Sequence, residues 1–311
     1  MSGSKQFEKP LIPASWAVLF GTHRIRSGDK MTLPTSKLLG ILALGAALIG
    51  PVAAYGDSRI AAVLPSPTYA DLVDLADGAP LVIRAQPRKI AAVEPERARG
   101  LRPGWGRFYV EARTEGLIAG SAPLGEALTY LVDLPLDAKG KPPQFKKKSV
   151  VLFARAVAGR PGQLQLVAPD AQLLWDAALD ARVKGVLREL YASGAPPRIS
   201  AVREAVHSAG DLAGAGETQI FLVSASGEPA AITVTRSPGR TPQWGVSFSE
   251  LVDSGNAPTR DSLAWYRLAC FLPPALPRIA ASDVNGADRA AATADYVFVM
   301  SQLGSCPRNR R

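Results

Sequence analysis

Between residues 81 and 167 most of the chain shows one of two patterns. Apolar and polar residues alternate, or apolar residues form short runs. Short runs of β-branched and aromatic residues bounded by glycine and proline are typical of β-strands. Because no long helical pattern separates these runs, the sequence predicts a small β-barrel of the OB (oligonucleotide/oligosaccharide-binding) type, with a β-sandwich as the alternative. The predicted strands are residues 81–86, continuing at 89–93, then 108–114, 127–133, 150–155 and 164–167.

A helical period replaces this alternation between residues 176 and 192, where Asp176 is suited to cap the helix. Apolar residues recur there at the spacing that places them on one helix face. A shorter helix is predicted over residues 69–75, with Thr68 as its cap. The apolar face of the longer helix consists of Leu179, Val183, Val186, Leu187 and Leu190.

The second half of the chain predicts three strands and two helices. Strands at residues 218–224, 231–235 and 244–248 are joined by short turns and form a three-stranded antiparallel meander. Residues 199–206 fit neither pattern clearly. Helices are predicted over residues 260–272 and 286–303, with Gly304 as the C-terminal cap of the second.

These elements define an α+β fold class and an order of domains. A linker and short helix at residues 55–79 precede the OB-like barrel domain at residues 80–175. An α+β domain with the meander and the C-terminal helices follows at residues 176–311. Basic residues outnumber acidic ones by about two to one between residues 84 and 160, whereas the two balance afterwards. The first of the two domains is therefore the basic one.

An apolar run near the N-terminus predicts export. Lys37 precedes the run LLGILALGAALIG, which Pro51 and the small residues up to Ala54 follow, and this is the pattern of a secretory signal peptide over residues 31–54. A retained membrane anchor is the alternative, although the run is shorter than the roughly 20 residues of a membrane-spanning helix. Residues 1–30 are interpreted as a non-native extension that precedes the true start at Met31. The predicted location is periplasmic or secreted.

A lysine-rich loop is the main candidate binding site. It lies between two predicted strands of the basic domain and has a single aromatic residue. The loop is either a solvated connection that keeps the protein from aggregating or a site that binds an anionic surface or partner. For an exported protein, anionic lipid headgroups, cell-wall polymers or an acidic protein are better partners than nucleic acid. The candidate residues are Lys139, Lys141, Phe145, Lys146, Lys147 and Lys148.

Catalytic signatures are missing from the sequence. His207 stands alone outside the N-terminal extension, and no zinc-binding or activated-nucleophile motif occurs. We therefore predict no catalytic residue, no metal site and no cofactor. Two acidic pairs, Asp133 with Asp137 and Glu94 with Glu96, leave open a carboxylate-based hydrolase.

The segment LAWYRLACFLPP at residues 263–274 and the ending around Cys306 resemble exported proteins of sphingomonad-type alphaproteobacteria. The resemblance extends from about Tyr69 to Cys306. It implies export, and it brings no activity, cofactor or binding residue.

Cys270 and Cys306 are the two cysteines of the chain. In an oxidising compartment an even number of cysteines favours a disulfide, which here would close a loop of about 36 residues and contribute about 3–4 kcal/mol. Two separate buried thiols or an intermolecular bridge are the alternatives. The helix that carries Cys270 is apolar on two faces and is predicted to lie in the core.

Taken together, these features predict a non-catalytic, exported cell-envelope protein that binds or assembles with an anionic partner through its basic β-domain. A periplasmic enzyme without a recognisable motif and a membrane-tethered assembly factor are the alternatives.

Overall fold

Two antiparallel sheets and four helices form the part of the chain that the computed structural model describes, which is residues 66–249, 255–281 and 285–310. The α+β class is confirmed. The predicted N-terminal extension and signal peptide lie outside the described residues. The helices are α1 (Tyr69–Ala76), α2 (Ala177–Leu190), α3 (Leu263–Ala269) and α4 (Gly286–Leu303). The strands are β1 (Leu81–Ala92), β2 (Trp105–Ala119), β3 (Ala127–Pro135), β4 (Val150–Ala156), β5 (Leu164–Leu166), β6 (Gln172–Leu174), β7 (Ile199–Ala209), β8 (Gly216–Ser224), β9 (Ala230–Arg236) and β10 (Gln243–Ser247).

The first sheet contains β1 to β6. Its strands follow the order β3-β2-β1-β4-β5, and β6 pairs with β4. The two outermost strands of this order, β3 and β5, approach each other. The amide of Thr129 on β3 donates to the carbonyl of Gly162, just before β5, at 2.8 Å, and Thr129 forms an isolated parallel bridge with Gln163. No continuous ladder closes the sheet among the described residues.

Strand β1 is one long strand, where the sequence predicted a strand interrupted at Pro87. The pairing of β1 with β2 shifts register between Pro87 and Lys89. Proline has no amide hydrogen to donate to the ladder, so a bulge at this position lets the strand continue. The sequence did not predict β6, which has only three residues.

The second sheet has the order β10-β9-β8-β7. The three strands of the predicted meander are present and consecutive, but β7 adds a fourth strand over the stretch that fitted neither pattern. Two register shifts, between Ile199 and Ala201 and between Val202 and Glu204, interrupt its pairing with β8. Each shift moves later side chains to the other face, so β7 lacks the regular alternation that identifies a strand.

The core is a continuous cluster of buried apolar side chains to which both sheets and all four helices contribute. The first sheet contributes Phe153, the second Ile220, and α3 contributes Trp265, each at most 2% exposed. The predicted core position of α3 is thereby confirmed. The boundary between the two predicted domains, near residue 176, stays a prediction.

The helix ends follow local capping chemistry. Thr68 and Asp71 form a reciprocal capping box at α1, and Asp176 caps α2 as predicted. Helix α3 is shorter than predicted because Asp261 has a left-handed backbone, with φ of 59°, and Ser262 then caps the helix. Gly304, with φ of 67°, ends α4 as predicted.

A disulfide joins Cys270, at the end of α3, to Cys306, which follows α4. The Cα atoms are 5.2 Å apart, within the usual range for a disulfide. The predicted intramolecular bridge is confirmed. It fixes the start of a C-terminal segment, residues 304–310, that runs on to α1.

Asp71 of α1 receives the C-terminal segment. Its buried carboxylate, 1% exposed, accepts hydrogen bonds from the backbone amides of Asn309 at 3.0 Å and Arg310 at 3.1 Å. The same carboxylate accepts from the backbone amide of Thr68, whose hydroxyl donates to the carbonyl of Pro307 at 2.9 Å. One aspartate therefore caps the first helix and holds the C-terminal segment against it.

Gly162 marks the place where the two ends of the first sheet meet, and its substitution tests that contact. Both Gly162 and Gly159 have positive φ, at 76° and 71°. Alanine at either position costs about 1 kcal/mol for the left-handed backbone. At Gly162 a Cβ would also lie 2.8 Å from the carbonyl oxygen of Ala127, whereas at Gly159 nothing lies within 4 Å. Gly162→Ala is therefore expected to lower the free energy of unfolding by about 2 kcal/mol more than Gly159→Ala.

Urea unfolding of the two variants gives this comparison, with Gly159→Ala as the matched control for backbone strain. Equal losses in both variants would contradict the close approach of Gly162 to Ala127, because the added Cβ would then be accommodated without cost.

Candidate functional site

The lysine loop, defined as residues 139–148, connects β3 to β4 and is held at its start by Asp137. The carboxylate of Asp137 accepts from the backbone amides of Lys139 at 2.9 Å and Lys141 at 2.8 Å. These hydrogen bonds lower the pKa of the Asp137 carboxyl, and the bond from Lys141 has the larger effect. The charges of the two lysines lower the pKa further. The carboxylate therefore stays ionised and fixes the turn.

The far end of the lysine loop is held by Phe145 and Lys147. The Phe145 ring is 4% exposed and belongs to the core, so it anchors the loop from inside. The backbone of Lys147 donates to the carbonyl of Pro87 at 2.9 Å and accepts from the Gln86 side chain at 3.1 Å. The loop backbone is thereby attached to the middle of β1.

All five lysine side chains of the loop are exposed. Among the described residues, none of them lies within ion-pair distance of a carboxylate. Lys89 on the neighbouring strand differs, because Glu111 accepts from its ammonium group at 2.9 Å. The exposed Arg88 lies next to Pro87, the residue to which Lys147 is bonded. Asp137, at the start of the loop, partly offsets this charge, and the rest of the positive charge faces solvent.

The acidic residues that suggested a carboxylate-based hydrolase do not form a catalytic pair in the structure. Asp133 is 6% exposed and accepts two bonds from the Arg107 guanidinium, at 2.7 and 2.8 Å. Asp137 is engaged by its own turn. Glu94 and Glu96 lie on either side of Pro95, and both are exposed. Glu96 is in a short 3-10 helix, and Glu94 is the residue before that helix. A carboxylate whose lone pairs are used by an arginine is a poor general base, because they are not free to accept a proton from a substrate.

A buried polar network surrounds Asp295 of α4, and no pattern in the sequence predicts it. The Asp295 carboxylate is fully buried and accepts from Thr218 Oγ1 and from Arg236 Nε, both at 2.5 Å. His207 Nδ1 lies 2.9 Å from Thr218 Oγ1. Three strands, β7, β8 and β9, therefore meet α4 through one carboxylate.

The chemistry of this network is structural. The Thr218 hydroxyl has one hydrogen, which it donates to Asp295, so it can only accept from His207. A nucleophilic threonine would instead donate its proton to the histidine and would be open to a substrate. Thr218 is fully buried. The network thus joins α4 to the second sheet and does not activate a nucleophile.

Asp77 supplies the carboxylate partner of Arg267, which the sequence could not identify. Arg267 is 4% exposed, and its Nη1 donates to Asp77 Oδ2 at 2.8 Å. Arg198 donates to the same oxygen at 2.8 Å. Burial alone raises the pKa of the Asp77 carboxyl, but the hydrogen bonds and charges of Arg267 and Arg198 outweigh burial and hold the pKa below its ordinary value.

A small pocket beside Trp105 also lay outside the sequence-based prediction. Its walls come from β2, β3, β6 and the C-terminal segment. No local pattern could reveal it, because residues that are distant in sequence form it only after folding.

Among the described residues, no group of three or more His, Cys, Asp or Glu side chains is placed to hold a metal ion. None of the helices in this part of the chain is long and apolar enough to cross a membrane. Comparison with known proteins adds no relative, since no family model and no curated protein matches the chain.

The ion pair of Asp77 predicts a loss of stability in acid. A carboxyl whose pKa is lowered by folding stabilises the protein above its unfolded pKa, and this contribution disappears as the pH falls through the folded pKa. Asp77→Asn is therefore expected to lower the free energy of unfolding by about 2 kcal/mol at neutral pH, because Arg267 loses its charged partner. The difference between the wild type and the variant should shrink below about pH 4.

Denaturant unfolding between neutral pH and pH 3 measures this difference. Glu111→Gln is the control, since its pair with Lys89 is exposed and contributes little to stability. A difference between wild type and Asp77→Asn that stays constant with pH would contradict the assignment.

Proposed function

We propose that this chain is a non-catalytic, exported protein of the cell envelope that binds or assembles with an anionic surface or partner through the lysine loop of its basic β-domain. The observation that carries the proposal is the exposure of the five lysines and their lack of ion pairs with carboxylates in the described part of the chain. Their loop is held at its start by Asp137 and at its far end by β1. A fixed loop loses less conformational entropy on binding than a free one.

The basic β-domain is proposed to be an OB-like barrel. OB folds are partly open five-stranded barrels that bind extended ligands along strands and loops. The support is the order β3-β2-β1-β4-β5 together with the parallel bridge between Thr129 and Gln163, which brings the two ends of that order together. Tyr109 and Leu131 are opposite each other on the paired strands β2 and β3, and both side chains are exposed.

Periplasmic or secreted location is part of the proposal. The Cys270–Cys306 disulfide supports it, because disulfides persist in oxidising compartments and are rare in the cytosol. The signal segment on which export also depends lies outside the described residues. A tethered form would share the lysine loop and would differ only in keeping residues 38–54.

The hydrolase alternative receives less support than binding. Asp133 is paired with Arg107, Asp170 with Arg102 and Arg310, and Asp295 with Arg236. In contrast to these carboxylates, the lysines of the loop are available to a partner.

Binding to vesicles of phosphatidylglycerol in phosphatidylcholine tests the proposal. Each lysine near an anionic surface contributes about 1 kcal/mol, so replacing Lys146, Lys147 and Lys148 with glutamine is expected to weaken binding roughly 100-fold. Wild-type binding should fall as salt is raised, because the interaction is electrostatic. Sedimentation of the protein with vesicles at low salt provides the measurement.

A charge-matched control separates the loop from net charge. Replacing Arg188, Arg203 and Arg240 with glutamine removes the same charge from exposed positions in the second half of the chain. That variant is expected to bind vesicles nearly as tightly as the wild type. If the two triple variants bind equally, or if the wild type binds neither these vesicles nor isolated envelope fractions, the lysine loop is not the binding site.

A further inference from the structure

The Trp105 pocket is a cavity of about 150 Å³ at one end of the first sheet. Trp105 begins β2, Leu134 and Pro135 end β3, and Gln172 begins β6. The C-terminal segment passes over this end of the sheet and adds Arg310 to the pocket wall. Because Asp71 and the disulfide fix that segment, Arg310 occupies a defined place.

Two buried donors in the pocket wall lack an acceptor among the described residues. The Gln172 side chain is 3% exposed, and its Oε1 accepts from the Tyr130 hydroxyl at 2.6 Å, while its Nε2 has no partner. Arg310 uses Nη2 to donate to Asp170 at 2.8 Å, while its buried Nη1 has no partner. Buried donors without acceptors are destabilising and rare, which indicates that a bound group supplies the acceptors.

Arginine side chains and carboxylates lie together around the pocket. The carboxylate of Asp170 is shared by Arg102, at 3.1 Å, and Arg310. Asp133 is paired with Arg107. Arg310 thus brings a positive charge to the pocket wall, and a charged donor of this kind favours a ligand with a negative charge.

Much of the remaining lining is apolar. The Trp105 ring lies under the guanidinium of Arg102, with 3.7 Å between the guanidinium carbon and the ring centroid. Leu134, Pro135 and Leu173 add apolar surface to the lining, to which Pro67 and Asn309 also contribute. Pockets for drug-sized ligands are about 300–1,000 Å³, so this smaller pocket suits a ligand of only a few carbon atoms.

We propose that the Trp105 pocket binds the carboxylate of a small organic acid with a short apolar body. One carboxylate oxygen accepts from Gln172 Nε2 and the other from Arg310 Nη1, while the apolar body lies against Trp105 and Leu134. The carboxylate comes either from a free short-chain acid or from the last residue of a peptide. The pocket is separate from the lysine loop, so this proposal does not depend on the proposed function.

Calorimetric titration of the full, oxidised protein tests the proposal with three probes. Butyrate is expected to bind saturably with a dissociation constant of about 1 mM. Butyramide, which has the same shape and no charge, and inorganic phosphate, which has no apolar body, should each bind at least about tenfold more weakly. Saturable binding of N-acetylleucine that is tighter than that of butyrate indicates a peptide C-terminus, and the reverse order indicates a free acid.

Two variants locate the binding site. Gln172→Glu keeps the acceptor for Tyr130 but replaces the free donor with an oxygen, and Arg310→Gln removes the guanidinium. Each is expected to weaken butyrate binding at least about tenfold. Arg308→Gln is the matched control, because Arg308 lies in the same segment but pairs with Asp74, outside the pocket, and it should leave butyrate binding unchanged.

The results that would overturn the proposal are specific. They are the absence of saturable butyrate binding by the folded wild type, equal binding of butyrate, butyramide and phosphate, or an equal loss of binding in Arg308→Gln and Arg310→Gln. Thermal unfolding of each variant establishes that it is folded. The lysine-loop triple variant should bind butyrate like the wild type, so a failure here is distinct from a failure of vesicle binding.

Discussion

The hydrogen bonds that the C-terminal segment makes to the buried carboxylate of Asp71 join the first and last described parts of the chain. Asp71 would be costly to bury as an isolated charge. It is stabilised because backbone amides of Thr68, Asn309 and Arg310 all donate to it. The disulfide at Cys306 restricts the same segment a few residues earlier. The ends of the described chain therefore stabilise each other, and the wall of the Trp105 pocket depends on this contact.

Positive and negative groups have different roles in this structure. Buried and partly buried carboxylates hold elements together: Asp295 joins α4 to the second sheet, and Asp77 joins the end of α1 to α3. Each does so by using its lone pairs on arginine or backbone donors, which leaves little capacity for acid–base chemistry. The exposed lysines at residues 139–148 have no such role within the described chain. This difference is the physical reason to propose binding over catalysis.

Local signals in the sequence predicted local structure well. Thr68 and Asp176 identified two helix starts, Gly304 identified a helix end, and residues 286–303 have the observed bounds of α4. The disulfide followed from export and an even number of cysteines. Strand β7 escaped prediction because its bulges disturb the alternation. Phe145 is part of the core although it lies among lysines, because burial depends on tertiary contacts that composition does not reveal.

Of the two candidate sites, one could be predicted from a local pattern in the sequence and the other could not. A run of lysines is visible in the sequence, so the lysine loop was a candidate from the start. The Trp105 pocket was not, because its walls are assembled by strand pairing and by the return of residues 304–310. The donors that define it, on Gln172 and Arg310, become informative only when their burial and lack of acceptors are known.

Hydrogen exchange at the backbone amides of Asn309 and Arg310 tests most directly whether the C-terminal segment is fixed in this way. In the oxidised protein both amides should exchange at least about 100-fold more slowly than in an unfolded peptide, because they donate to a buried carboxylate. Reduction of the Cys270–Cys306 bond should speed their exchange. Exchange at the unprotected rate in the oxidised protein would contradict the account, because the segment would then not be held against α1.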